Sequence, residues 1–430
     1  MLNNTDSIYK NVLKKYAPSS IEREKLDEIS QKFLSKLNGA LKKHFAKAVI
    51  GGSLAKDTWL TNNNEVDVFV QFDYNKYSTE KKEQISDILK DTLLKTFPKL
   101  EINKVHGSRD YYQMEFFGIL FETIPIIKIN EAKNALNITD ISPLHADWVN
   151  KNSNKKLKNE IRLTKQFLKA QKLYGAESYL SSFSGYVSEI LTIYYGSFEE
   201  LLKSTLKWKD KVIIDPEKYH KKMMVHFELN KSKLQSPIII VDPTDKYRNA
   251  AAALSIEKFK LFKKRAKEFL KNPSCDMFDI KKIDIDELKA IAKKKKLVLT
   301  YIELEALEGK RDVIGAKFLK VYNYLKKMLK DYDIKLIDWE WSLGKPAKIY
   351  FMTKKAKRPK KQLISGPPIV ILEHAKEFQK KHKNWFEKEG RLYVEVDTKH
   401  PNLDDYVKFI LETNYCKIRY SGIKSMYFNL

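Results

Sequence analysis

Cysteine is nearly absent: Cys275 and Cys416 are the two in 430 residues, which excludes a disulfide framework and a cysteine-built metal site. No apolar stretch approaches the ~20 residues that a membrane-spanning helix needs. The opening MLNNTDSIYKNVLKKYAP is too charged to hold a signal-peptide core. The sequence also shows no repeat at a fixed period. Acidic residues are in deficit, with 55 Asp and Glu against 81 Lys and Arg, a formal charge of +26. That balance points to a polyanionic partner, nucleic acid first and an anionic membrane surface second. The expectation is a soluble, cytoplasmic protein with no membrane partner.

The chain has room for two to four domains, each with its own core. Hydrophobic residues at 43% and aromatics at 12% make a folding composition. After Pro18, Ser19-Ser20-Ile21-Glu22 reads as a capping box opening a helix to about Phe45, with Leu26, Ile29, Phe33, Leu37, Leu41 and Phe45 on one face. An apolar run (Ala48, Val49, Ile50) enters Gly51-Gly52-Ser53, and a β-prone run to Val70 follows. Side chains alternate along a strand, so Glu65, Asp67 and Phe69 share one face while Val66, Val68, Val70 and Phe72 share the other. A helix over Ser78–Phe97 and strands near Glu101–Val105 and Tyr111–Ile129 complete an α/β unit.

Asn130–Asn154 is polar and reads as a linker. Helices then dominate, over Leu157–Gln171, Tyr186–Tyr195 and Phe198–Leu206, with short strands at Val212–Ile214 and Pro237–Val241. Asp242-Pro243-Thr244-Asp245 is a turn signal placed to cap a helix over Ala250–Leu254. A third section starts at the Lys-rich helix after Ile256. Strand, helix, strand and strand follow at Val298–Leu304, Ile314–Leu329, Ile334–Trp341 and Lys348–Met352, a small α+β module of the kind found in RNA-binding folds. Ser365-Gly366-Pro367-Pro368 reads as a break before a last unit from Val370 to Asn414. Basic runs at Lys293–Lys296, Lys354–Lys361 and Lys380–Lys383 have Tyr301, Tyr350, Phe351 and Trp385 nearby, a mixture suited to phosphate contacts and base stacking.

A Gly-Gly-Ser turn followed by acid-x-acid on a strand has a chemical logic. Glycines and a small serine let backbone N–H groups approach phosphate oxygens, while paired carboxylates ligate hard divalent cations. Two-metal nucleotidyl transfer asks for a third carboxylate from a neighbouring strand. Glu122, an acid in the otherwise apolar Leu120-Phe121-Glu122-Thr123-Ile124-Pro125, is the candidate, because a charge there is costly without a partner. Alone, a Gly-Gly-Ser turn is common and acid-x-acid is most often a wet strand face; the combination is what carries information.

That combination resembles the polymerase β type of nucleotidyltransferase. GGSLAKDTWL followed by EVDVFV is similar to the class I CCA-adding enzymes, the archaeal tRNA nucleotidyltransferases, whose active strand carries Glu-x-Asp. The resemblance continues through Ser142-Pro143-Leu144-His145, EIRLTKQFLKAQKLYGAE, FSGYVSEILTIYYGSF and VDPTDKYRNAAAALS. It spans roughly residues 20 to 260 with specific motifs, and the remainder only in general layout. It implies that Glu65, Asp67 and Glu122 bind two Mg²⁺ ions, with Mn²⁺ as an alternative, and carry the catalysis. Gly52, Ser53 and Lys56, with Ser142, His145, Lys165 and Tyr174, would bind the nucleotide triphosphate. Arg248 would read the incoming base, with Asp245 and Asn249 arranged around it; five planar donors suit that task. The third acid is a departure, since Asp is usual there. The extra methylene of Glu122 moves the carboxylate by about 1.5 Å, which predicts slower chemistry or a shift toward Mn²⁺.

The resulting expectation is an α+β multidomain chain. A polymerase β-like nucleotidyltransferase catalytic head spans 1–140, a helical central nucleotide-binding domain 141–258, an α+β body 259–365 and an RNA-binding tail 366–430. The expected activity adds C, C and A to the tRNA 3′ end from CTP and ATP and releases pyrophosphate. The partners are then tRNA, ATP and CTP, with a homodimer left open. Two alternatives stand beside it: another RNA nucleotidyltransferase, of poly(A) or uridylyl type, and a catalytically decayed tRNA-binding protein.

Overall fold

The capping box at Ser19 and Glu22 closes in both directions, with Glu22 N–H on Ser19 Oγ at 3.1 Å and Ser19 N–H on Glu22 Oε2 at 2.9 Å. It satisfies two donors that a helix start leaves orphaned and sets helix α2. The structure is a computed structural model and describes residues 2–429 except 63, 80–83 and 222–223. The chain divides into two compact units, residues 1–281 and 282–430.

The first unit begins with α1 (Leu2–Tyr16), α2 (Ser20–Leu41), β1 (Ala46–Ile50), α3 (Gly52–Ala55) and β2 (Glu65–Phe72). Next come α4 (Tyr74–Tyr77), α5 (Ile85–Thr96), β3 (Asn103–Val105), β4 (Tyr111–Phe116) and β5 (Ile119–Ile127). The five strands form one sheet in the order β1-β2-β5-β4-β3, in which β2 and β5 are parallel and the other pairs antiparallel. Beneath it α2 buries Leu26, Ile29, Phe33, Leu37 and Leu41, with the Phe33 ring 4.1 Å from that of Phe121 and 4.8 Å from that of Phe97.

Three local expectations change here. The apolar stripe of α2 ends at Leu41: a short 3₁₀ turn follows, and Phe45 takes a left-handed backbone and faces solvent. The predicted helix over Ser78–Phe97 runs as α5 from Ile85, while 80–83 lie outside the described residues. The single stretch Tyr111–Ile129 is two strands, because Phe117 and Gly118 both take positive φ (51° and 75°) and make the tight turn an antiparallel hairpin requires.

The chain continues through α6 (Ser142–Lys151), α7 (Lys155–Ala170), α8 (Gly185–Tyr195), α9 (Phe198–Leu206), β6 (Val212–Ile214), α10 (Val225–Glu228), β7 (Ile238–Asp242), β8 (Asp245–Asn249) and α11 (Ile256–Lys271). Leu163, Phe167 and Leu168 of α7 join Val187, Ile190 and Leu191 of α8 and Phe259, Phe262 and Phe269 of α11 in one core. The N-terminal α1 adds Ile8 and Val12 to it. The stretch read as a linker is ordered by a buried acid instead. Asp140 takes the Arg109 guanidinium at 2.7 Å and the N–H groups of Ile127, Leu136 and Asn137, and α6 follows directly. Ala250–Leu254 is a turn, not a helix, because the Asn249 side chain accepts from Ile240 N–H and Ala251 N–H and so claims the backbone groups there.

The second unit holds α12 (Ile285–Lys295), β9 (Val298–Glu305), α13 (Arg311–Met328), β10 (Ile334–Glu340), β11 (Ala347–Thr353), β12 (Lys361–Pro368), α14 (Leu372–Lys381), β13 (Trp385–Lys388), β14 (Arg391–Asp397), α15 (Leu403–Glu412), α16 (Asn414–Lys417) and β15 (Gly422–Asn429). One antiparallel sheet runs β10-β11-β9-β15 and a second runs β12-β14-β13. The expected break at Ser365–Pro368 lies inside β12, where a register shift between Ser365 and Pro368 accommodates the prolines against β14. Tyr301 and Phe351, expected beside the basic runs as stacking rings, are core residues of the first sheet. Trp385 on β13 is exposed. Among the described residues no helix is long and apolar enough to cross a membrane.

Candidate functional site

β1 feeds a turn that only glycine can make. Gly52 takes φ +57°, and a Cβ built on it would fall 1.7 Å from Asp67 Oδ2. A Cβ on Gly51 would fall 2.4 Å from the Phe69 ring, and Gly51 N–H donates to Asp67 O at 2.8 Å. The turn is thereby pressed onto the acidic strand, and Ser53 follows at the start of α3.

On β2, Val66, Val68 and Val70 are fully buried while Glu65 is exposed and Asp67 half-buried. The parallel register sets Asp67 directly beside Glu122 on β5. On the other side of Glu122, Gln113 of β4 is its antiparallel partner, and the Gln113 amide donates to the Glu122 carboxylate. Burial pushes the Asp67 carboxyl up to about 6, with the Glu65 charge adding to it and Lys56 opposing. Burial likewise pushes Glu122 up to about 7; Gln113 eases the shift, and Glu65 and Asp67 increase it. Burial outweighs the countercharge these two acids have, and holds both above their ordinary range. Among the described residues no three His, Cys, Asp or Glu side chains close on one point as a finished metal cage. Crowded, cation-poor carboxylates on adjacent strands nevertheless fit a divalent cation by donor chemistry.

Above this strand pair lies a second set of side chains. α7 presents Arg162 and Lys165, both buried, to the segment that leads into β2. Arg162 reaches Trp59 O at 3.0 Å and Asp57 Oδ1 at 2.5 Å. Lys165 Nζ donates to Thr58 O at 3.2 Å, Thr58 Oγ1 at 2.8 Å and Glu189 Oε1 at 2.7 Å. The other carboxylate oxygen of Glu189 takes Lys56 Nζ at 2.6 Å. Glu189 itself is wholly buried on α8. Burial alone would raise its pKa, but the Lys165 and Lys56 charges hold it down to about 2.

This last shift sets an acid response. A carboxyl depressed on folding stabilises the protein above its unfolded value, near 4.5, and that stability is lost as pH falls toward 2. Wild type should therefore lose unfolding free energy through that window, and the Glu189→Gln variant should show a flatter acid limb in denaturant titrations.

The third set converges on Asp242, at the end of β7. Its carboxylate, fully buried, pairs with Arg248, takes His145 Nε2 at 3.2 Å, and accepts Tyr186 O–H at 3.1 Å and the Thr244 hydroxyl at 2.8 Å. His145 and Tyr186 stack with centroids 3.9 Å apart, and Lys56 Nζ lies 5.7 Å from the Tyr186 ring centroid, linking this set to the previous one. Burial raises the Asp242 pKa, but His145 and Arg248 more than reverse it and keep the carboxylate ionised.

The residues expected from sequence are thus distributed in groups. Ser53, Lys165 and Tyr174 line one cavity of about 100 Å³, together with Thr58, Thr61 and Lys169. Gly52, Glu65, Asp67 and Glu122 share the β2–β5 site. His145 and Arg248 meet through Asp242, and Ser142 is the first residue of α6, one turn before His145. Asp245 Oδ1 accepts Tyr247 N–H at 3.0 Å within its own turn, and Asn249, next to Arg248 in the chain, ties β7 to the turn after β8. The carboxylate paired with Arg248 is Asp242. Glu189, Asp242, Tyr186, Lys169 and Gln113 stand outside the candidate site residues read from the sequence, where Asp242 figures only in a turn and Tyr186 only at a helix start. Two of them carry a signal nonetheless, since Glu189 interrupts an apolar helix and Asp242 ends the run Ile238-Ile239-Ile240-Val241.

Parallel strands that align Asp67 with Glu122 beside a Gly-Gly-Ser turn define a nucleotidyltransferase of the polymerase β type. Among solved structures, Cid1, described with an RNA terminal uridylyl transferase activity, superposes at a TM-score of 0.50 with 13% identity over 66% of this chain and 99% of its own, a likeness of fold. A family model for the second domain of tRNA nucleotidyltransferase matches residues 159–279. The chain is 37% identical over 360 residues to the CCA-adding enzyme of Nanoarchaeum equitans, covering 82% of this chain and 84% of that one. It is 30% identical over 425 residues to the CCA-adding enzyme of Thermococcus kodakarensis, covering 95% and 90%. The chain belongs to the CCA-adding enzymes.

Proposed function

We propose that this protein adds C, C and A to the 3′ end of tRNA from CTP and ATP with release of pyrophosphate. The observation that supports it best is the pairing of Asp67 with Glu122 across parallel strands, in a chain that matches CCA-adding enzymes over most of its length. The 3′-hydroxyl oxygen attacks the α-phosphorus in line, the new phosphodiester bond forms, and the bond to the departing pyrophosphate breaks. Glu65, Asp67 and Glu122 would hold two Mg²⁺ ions, which when bound supply Lewis-acid polarisation of the phosphoryl oxygens and charge neutralisation. The Gln113 amide, donating to the longer Glu122 carboxylate from β4, holds it in place. Gly52 and Ser53 cradle the triphosphate with Lys56, Lys165 and Tyr174 around it, Ser142 and His145 border the nucleotide, and Arg248, oriented by Asp242, meets the base. A net charge of +26 suits tRNA as the polyanion.

The test offers tRNA lacking its 3′ CCA to the protein with CTP, with ATP, and with both. Cytidine additions with CTP alone, and a product ending at CCA with both, are the expected result. Runs of A or U when all four nucleotides are present would instead assign it to the poly(A) or uridylyl class. Binding of tRNA with no incorporation under Mg²⁺ or Mn²⁺ would leave a decayed scaffold.

A further inference from the structure

Among the described residues, Glu189 is the carboxylate that holds Lys56 and Lys165 at once, at 2.6 and 2.7 Å. The two lysines come from segments 109 positions apart, one just after α3 and one on α7. Thr58 Oγ1 donates to Glu189 Oε1 at 2.6 Å and accepts from Lys165 at 2.8 Å, so the segment between α3 and β2 is tied into the same knot. We propose that Glu189 is a positioning residue for nucleotide binding: it fixes both ammoniums beside the cavity lined by Ser53, Lys165, Lys169 and Tyr174, so that a triphosphate meets them already charged and in place.

The argument is geometric first. Lys165 spends its three donors on Thr58 and Glu189, so its orientation is fully determined by protein acceptors, and an incoming phosphate oxygen has to replace one of them. Lys56 gives one donor to Glu189 and keeps its charge close enough to oppose the rise at Asp67. Without the carboxylate the two buried ammoniums would face each other unscreened, and each would turn toward water or lose its proton. Burial already lowers the Lys165 pKa to about 8 even with Glu189 in place. Tyr186 stands one helical turn before Glu189 on α8 and lies against Lys56, which keeps that ammonium from swinging away from the site. A residue of this kind governs how well the ground-state nucleotide binds and leaves the reacting atoms to others.

The proposal rests on reading the cavity as a nucleotide site. The experiment is steady-state CCA addition by the full chain with Glu189→Gln and Glu189→Asp, varying CTP, ATP and tRNA in turn. Glu189→Gln is expected to raise the KM for both nucleotides by about tenfold or more, with kcat within about threefold and the KM for tRNA unchanged. Glu189→Asp keeps the charge but reaches only one lysine well, and should recover part of the loss. A nucleotide KM within about twofold of wild type in Glu189→Gln overturns the proposal. So do an equal loss in kcat and in tRNA KM, and an Asp variant no better than Gln, since both mark a merely structural residue. Where circular dichroism shows that the Gln variant does not fold, the Asp variant decides alone: a raised nucleotide KM with unchanged tRNA KM supports the proposal, and an unchanged nucleotide KM overturns it. Wild type run in parallel separates the two ideas, because absence of incorporation by wild type removes the functional reading, whereas an active wild type with an unaltered Gln variant removes only Glu189.

Discussion

Asp67→Ala is expected to lower nucleotide addition by about 10³-fold or more while tRNA affinity stays within about twofold of wild type. Asp67 is the half-buried acid whose carboxyl is pushed to about 6 by burial and by Glu65, so a divalent cation stabilises its ionised form on meeting it. It lies beside Glu122 in the parallel register and under the Gly52 turn, which makes it the shared member of the acid set. Wild type should also gain thermal stability on adding Mg²⁺, as anything that binds only the folded state must give, and the variant should gain little. An equal loss of addition and of tRNA binding would mark Asp67 as structural and remove the assignment of the β2–β5 site.

Gly52→Ala is the second large effect. The new Cβ would fall 1.7 Å from Asp67 Oδ2, in a backbone at φ +57° that disfavours any side chain. The conformational strain alone costs about 1–2 kcal/mol, and the collision displaces either the turn or the carboxylate. A misplacement of about 1 Å in such a site costs on the order of 10²-fold in rate. Activity should therefore fall at least that far, with a clear drop in unfolding temperature. Gly39→Ala is the control: it lies inside α2, with nothing within 4 Å of the added Cβ, and should be neutral or stabilising by about 1 kcal/mol. If both substitutions prove equally benign, the turn is not held against Asp67.

Legibility followed the range of the interaction. The acid face of β2 is visible in sequence because strand side chains alternate, and Val66, Val68 and Val70 mark the buried face. Glu122 stands out because a charge in an apolar strand demands a partner. The hubs were harder: Glu189 meets a lysine 133 positions away and Asp242 a histidine 97 away, separations at which no periodicity operates. The helix that carries Lys165 is legible, yet nothing in the spacing says that Thr58 and Glu189 take all its donors. Asn249 has a structural part that its place beside Arg248 does not announce: its side-chain oxygen accepts from Ile240 N–H of β7 and Ala251 N–H in the turn after β8. At Ser365–Pro368 the two prolines read as a stop, and the strand survives them through a register shift that only the partner strand reveals.

The alignment of Asp67 with Glu122 is written in main-chain hydrogen bonds, since the two residues hold the same rung of a parallel ladder. A rung cannot be adjusted by a fraction: the smallest slip available to a strand turns every side chain to the opposite face. The register of these acids is accordingly quantised and does not drift as the protein warms. Amide hydrogens of β2 and β5 should exchange only by the openings that also abolish activity, so that one melting event ends both.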